Sequence, residues 1–190
     1  MMREIYVSTD VATDGPIPGD YSMLSLGCAA YLADKTLLDT FEVNLEALPQ
    51  VKTDPETMEW WSRQPETWAA CTKNPVAPAR AMADYLRWVN GLPGEVAFVG
   101  YPLASDFLFV QWYLFHFTGE SPFGQTGIDI LSCAMALLGE PFHELSRKRL
   151  PAAWCDGPPH PPTPLANAIE QGALFCNILH EAQDRSRRTR

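Results

Sequence analysis

Three polar side chains lie where an extended or helical segment ends. Asp10 closes the stretch Ile5-Tyr6-Val7-Ser8-Thr9, Asp106 opens a helical run after Phe98-Val99-Gly100-Tyr101, and Asn167 sits in the first turns of a last helix. Segments this far apart in sequence can bring such groups to one rim of a sheet. Each has a plain structural explanation as well. Asp is common at strand ends and turns, an acid favours a helix N-terminus, and Asn167 fits a solvated early-helix position. Asp14 and Asp129 are nearby acids. Gly15-Pro16 turns the first away, and strand-end solvation accounts for the second. His160 carries the one side chain in its segment whose ordinary pKa suits proton transfer near neutrality. His116, His143 and His180 have no metal-ligand spacing and read as surface or packing residues. Trp60, Trp61 and Trp112 could stack on bases, although their apolar neighbours favour core packing.

These groups need elements to position them. Ile5–Val11 is β-branched and aromatic, which predicts a strand. Ser22–Tyr31 and Leu37–Leu45 predict two more, around an Asp34-Lys35 turn, and three strands in succession imply an antiparallel meander. Thr53-Asp54-Pro55-Glu56 is a helix start. Pro75–Val89 has apolar residues at the helical period. Val96–Tyr101 predicts a buried strand, Ser105–Phe117 a helix stopped by Gly119, Ile128–Ile130 a short strand and Leu131–Leu138 a helix. Pro151–Pro164 is a proline-rich loop, and Leu165–Ala182 is a final helix entered through Thr163-Pro164. The expected organisation is a single domain over residues 1–182 and a basic, disordered tail over 183–190. The fold class is α/β, with helices flanking a mixed sheet.

With 190 residues and 46% hydrophobic content, the chain can bury a core. Fourteen basic against 23 acidic residues give a formal charge of −9, so bulk charge does not draw it to duplex nucleic acid. A phosphate contact would need a bound metal or a local basic patch. Arg147, Lys148, Arg149, Arg185, Arg187, Arg188 and Arg190 are half of the 14 basic residues. They read equally as a solvated loop with a frayed tail or as a phosphate-touching arm. No apolar run approaches membrane-spanning length, and the N-terminus has no signal-peptide pattern. Five scattered cysteines without a C-x-x-C support neither a disulfide framework nor a zinc ribbon, and the expected setting is the cytoplasm.

Three motifs, in order, resemble those of the DEDD-type (DEDDh-like) 3′–5′ exonucleases of the ribonuclease H-like fold. Thr9-Asp10-Val11-Ala12-Thr13-Asp14-Gly15-Pro16 looks like the family's Asp-x-Glu strand end. Phe98–Phe107 looks like its second motif, with Asp106 before an aromatic residue. Pro159-His160-Pro161-Pro162-Thr163-Pro164-Leu165-Ala166-Asn167 runs into Ala168-Ile169-Glu170-Gln171 and looks like the third, a His-x4-Asp motif. Trp60-Trp61 and Pro122-Phe123-Gly124 ahead of Asp129 extend the likeness over most of the chain. The resemblance implies a mixed sheet whose first three strands are antiparallel. It also implies Mg²⁺ or Mn²⁺ held by four carboxylates, a single-stranded nucleic-acid 3′ end as partner, no membrane, and a homodimer as a permitted state.

The departures from the pattern carry as much information. Asp10 and Asp106 match two family carboxylates and are the retained metal ligands. Ala12 stands where the Glu belongs, and Asn167 replaces the last Asp. The family's general-base His falls on Pro162, which cannot take a proton. The site charge drops from about −4 to about −2, too little for two hard divalent ions. His160, two residues earlier, is a candidate substitute base. Metal-dependent hydrolysis is therefore expected to be weak or lost. Three readings follow: a pseudo-exonuclease directed at 3′ ends, an active enzyme with replacements such as Asp14 and His160, and a non-catalytic scaffold or regulatory protein. Natural drift and designed inactivation both account for Ala12 and Asn167; Pro162 and the proline run fit drift better.

Overall fold

The computed structural model describes residues 3–157, 160 and 162–188. Five strands, β1 (Glu4–Thr13), β2 (Met23–Tyr31), β3 (Leu37–Asn44), β4 (Glu95–Gly100) and β5 (Gly127–Asp129), form one sheet in the order β3-β2-β1-β4-β5. The first three pair antiparallel, and β4 and β5 join in parallel. Six helices complete the chain: α1 (Pro55–Ser62), α2 (Pro65–Cys71), α3 (Pro78–Asn90), α4 (Leu103–Thr118), α5 (Ile130–Leu138) and α6 (Pro164–Arg188). The expected mixed α/β sheet, antiparallel in its first three strands, is the one observed.

Side-chain alternation sends successive residues of β1 to opposite faces. Ile5 and Val7 pack with Leu26, Cys28, Tyr85, Phe98 and Phe109 in the larger core, which α3 and α4 close. Tyr6 packs on the other side with Val99, Ile130, Leu174 and Phe175, under α5 and α6. β2 is buried along its whole length because both faces are covered. Helix α6 can lie that close because glycines meet it. A Cβ on Gly27 would stand 2.1 Å from the Leu165 backbone nitrogen, and one on Gly172 would meet the Tyr31 ring at 2.5 Å. Gly27 is also the register partner of Asp10. The first turn of α6 therefore crosses the sheet beside that carboxylate.

Several boundaries depart from expectation, each for a local reason. Helix α3 begins at Pro78 instead of Pro75, because Val76 pairs with the extension of β3 through Asn44 and Glu46. Ala77 is then held extended ahead of a proline. A separate short helix, α2, follows α1 after Pro65. Within the proline-rich segment, Ala152–Trp154 forms a 3₁₀ turn. The basic tail corrects the expected disorder: α6 runs through Arg188, with Arg185–Glu181 and Arg187–Asp184 pairs and an Arg185 bond to the Leu137 carbonyl. Pro158, Pro159 and Pro161 of the proline run and Arg190 of the tail lie outside the described residues.

Candidate active site

Asp10 points to the face that α6 covers, and two amides from that helix reach it. Asn167 Nδ2 donates to Asp10 Oδ2 at 3.1 Å, and Gln171 Nε2 to Oδ1 at 3.3 Å. The same Gln171 nitrogen lies 3.3 Å from the Tyr101 carbonyl oxygen at the end of β4. One turn of helix separates positions 167 and 171, so both side chains share a face. Burial pushes the Asp10 carboxyl up to about 6, against the opposing pull of the Asn167 and Gln171 amides.

Asp106 enters from the first turn of α4 and is almost fully buried. Burial and then the Asp10 charge raise its pKa well above the ordinary range, while the Val11 backbone amide favours the ionised form. Asp106 Oδ2 and Gln171 Oε1 find no hydrogen-bond partner among the described residues. Asn167 bonds to Asp10 and the Asp10 charge acts on Asp106, so the structure places the three at one rim.

The remaining predicted residues divide. Ala12 is buried in an apolar cluster with Trp61 and Cys71, and Pro162 is exposed. Both line a cavity of about 260 Å³ with Asp10, Thr13, Trp60 and Asn167. His160 lines a different cavity, on the Lys35 and Asp156 side of α6, and its Nε2 lies 3.1 Å from Glu170 Oε2. Asp14 is buried, with its carboxylate accepting from the Ser22 amide. Asp129 caps α5 through the Ser132 amide and hydroxyl, both at 2.6 Å. Arg147 pairs with Glu170 and Arg149 with Glu144, so these cations of the basic cluster have acidic partners within the chain.

Two residues at the site escape sequence reasoning. Gln171 was visible only as the last letter of the third motif. Trp60, expected in the core, is 51% exposed, whereas Trp61 is 5% exposed. The difference comes from how α1 docks. Asp54 caps that helix, its backbone N–H donates to the Asp14 carbonyl, and the Trp61 indole N–H donates to the Thr13 carbonyl at 2.9 Å. Trp61 becomes a fixed wall, and Trp60 stands edge-on to it at 4.7 Å between centroids. Trp112 covers Gly19 and stacks on His116 at 4.4 Å, away from the site.

A mixed sheet with acids from the first strand and from the helix after the fourth defines a nuclease-type ribonuclease H-like fold. Comparison with known proteins agrees. No family model matches the chain. Over 134 residues it is 36% identical to a curated 3′–5′ DNA exonuclease of Escherichia coli, Cap18, across 68% of this chain and 67% of the relative. The Mg²⁺- and Mn²⁺-bound form of S. pombe Pop2p superposes with a TM-score of 0.64 at 13% identity, over 91% of this chain and 82% of that one. The nuclease domain of 3′hExo, a DEDDh family member bound to rAMP, gives 0.61 at 9% identity, over 95% and 92%. The chain belongs to the 3′–5′ exonuclease family, and its fold is that of the DEDDh-type ribonuclease H-like nucleases.

The donor set does not fit the metal pair that this family implies. Two hard cations need anionic oxygens, and among the described residues the site offers the Asp10 and Asp106 carboxylates. Both Asp10 oxygens already accept from amides. Among the described residues, no three His, Cys, Asp or Glu side chains are placed to hold a metal. Asp106 Oδ2 and the Gln171 amide oxygen are the buried, unpartnered oxygens of this rim among the described residues, and only the first can carry a charge.

Proposed function

We propose that this protein binds the 3′ end of a single-stranded nucleic acid and hydrolyses it weakly or not at all. The observation that carries this reading is the pair of amide donors on Asp10. Where the family has its last carboxylate, Asn167 donates an amide N–H to Asp10, and Gln171, at the end of the third motif, donates a second. A side-chain amide does this without any metal, so the rim is held together as it stands. The general base is missing as well: Pro162 has no titratable group, and His160 faces Glu170 across a different cavity. These features favour a binding protein over an enzyme with replacement ligands, since Asp14 is also engaged elsewhere.

The name of the Escherichia coli relative makes a DNA strand the first probe. A 5′-labelled single-stranded oligodeoxynucleotide is incubated with the protein and Mn²⁺, then assayed for cleavage and for retention. Binding without cleavage, lost when the strand is circular and has no end, is the expected result. Rapid stepwise shortening would overturn the loss of hydrolysis. Equal retention of the circular strand would overturn recognition of the end.

A further inference from the structure

Helix α4 meets solvent differently from the other long helices. The outer faces of α3 and α6 carry ion pairs: Arg80 and Arg87 with Asp84 on the first, Arg185–Glu181 and Arg187–Asp184 on the second. Along α4 only Asp106 and His116 can be charged near neutral pH, and Asp106 is buried. Phe109, Val110, Tyr113 and Leu114 fill the inner face. The opposite side presents Leu108 at 50% exposure and Phe115 at 55%. Seven residues are close to two full turns, so these two stand in one line along the helix. The core already occupies the inner face, and folding gives no reason for an apolar outer one. Exposed apolar surface of this kind marks a contact with another molecule.

Charge and symmetry together name the occupant. The chain has a formal charge of −9, so two copies repel over most of their surface. They approach at least cost where neither presents a charged side chain. A basic partner would find no carboxylate on the outer side of α4 to pair with. A two-fold axis between Gln111 and Trp112 relates position 108 to position 115. Two antiparallel α4 helices then place Leu108 of each copy on Phe115 of the other. The stripe is complementary to itself, as an isologous contact requires.

Area sets the strength. At 1.5 Å per residue and about 10 Å across, α4 covers roughly 240 Å², against roughly 800 Å² per partner in a stable complex. Trp112 covers Gly19 on one flank, and the same loop carries Ile17, 53% exposed, which widens the contact. The pairing belongs to the transient class. We propose that α4 is the surface through which two copies of this chain associate, antiparallel, weakly and reversibly. This depends on neither the 3′-end reading nor the Asp10 cavity.

Sedimentation equilibrium of the full chain from about 1 to about 100 μM tests it. The mean mass is expected to rise from that of one chain toward that of two. Leu108→Lys and Phe115→Glu, each at a half-exposed position and checked for fold by circular dichroism, are each expected to stay monomeric. Mixed in equal amounts they should associate again, because one contact becomes a Lys–Glu pair and the other remains Leu on Phe. Should a charged variant unfold, Leu108→Ser or Phe115→Ser takes its place, with loss of association expected again. A parent that is monomeric at every concentration would overturn the proposal and leave the face to another occupant. Single variants that pair as the parent does would move the contact off α4. A mixture that stays monomeric would overturn the antiparallel register.

Discussion

The chemistry of the rim turns on a carboxylate that gains a proton more readily than usual. Asp10 is pushed up to about 6 because burial outweighs the two amides that oppose it. The folded chain then binds this proton more tightly than the unfolded chain does. Its contribution is fully present below about pH 4 and is lost as pH rises through about 6. Asp10→Asn has nothing to ionise. In urea unfolding with EDTA, its stability relative to the parent is expected to rise as pH increases from about 4 to 7.5. A gain independent of pH would refute the assignment. The missing ligands give a second test. Ala12→Glu, Pro162→His and Asn167→Asp together are expected to confer Mn²⁺ binding measurable by calorimetry, whereas single changes do little, since such groups act as a unit. A triple variant with no gain in Mn²⁺ affinity would mean that the three positions do not converge. Asp10, Asp106 and Asn167 were legible in sequence because acids and amides at motif spacing stand out by type. Gln171 was legible only as the end of the third motif and not by its role, since an amide inside a helix looks like any solvated side chain. Trp60 and Trp61 are identical in type, and only the tether of α1 to Thr13 separates wall from platform.

Among elements, the placement of α6 governs the site. It presents Asn167 and Gln171 to Asp10 because its first turn rests against the bare backbone of β2 at Gly27. Gly27→Ala puts a methyl group into the Leu165 backbone and must push the helix outward. Overpacking of this kind costs about 1–3 kcal/mol, measurable by denaturant unfolding, and a single-stranded oligodeoxynucleotide should bind more weakly to whatever remains folded. A variant as stable as the parent would show that the helix sits there for other reasons. The strands were legible because apolar and β-branched residues cluster in them. Helix α2 was not, because seven residues starting at Pro65 are too few to establish a period. Nor was the length of α6, whose last turns carry little apolar signal and depend on Arg–acid pairs.

The whole molecule is acidic, with a formal charge of −9, and much of its basic cluster is paired with its own acids. A strand held at this rim by its 3′ end alone would displace few counterions. The affinity for a single-stranded oligonucleotide should therefore fall gently with salt, with a log–log slope of magnitude below about 2, against roughly 0.7 per phosphate neutralised. A steep slope in an anisotropy series over salt would point to a phosphate-binding track elsewhere on the surface. Overall architecture followed from the order of strands and helices, because a meander followed by alternating elements admits few sheets. Which charges are spent internally is a matter of three-dimensional pairing, and Arg147 with Glu170 gives no hint of it in sequence.

Ala12 has a bearing on how a metal centre could be built into this rim. Its side chain is part of the packing between the end of β1 and the two short helices, shared with Trp61 and Cys71. Its neighbours at the rim are two carboxylates already crowded together. A Glu placed here would meet that crowding before any cation were available to relieve it. Pro162 is exposed and Asn167 is only half-buried, so changes at those positions meet less resistance. The order of assembly is thereby constrained, with Pro162 and Asn167 first and Ala12 last.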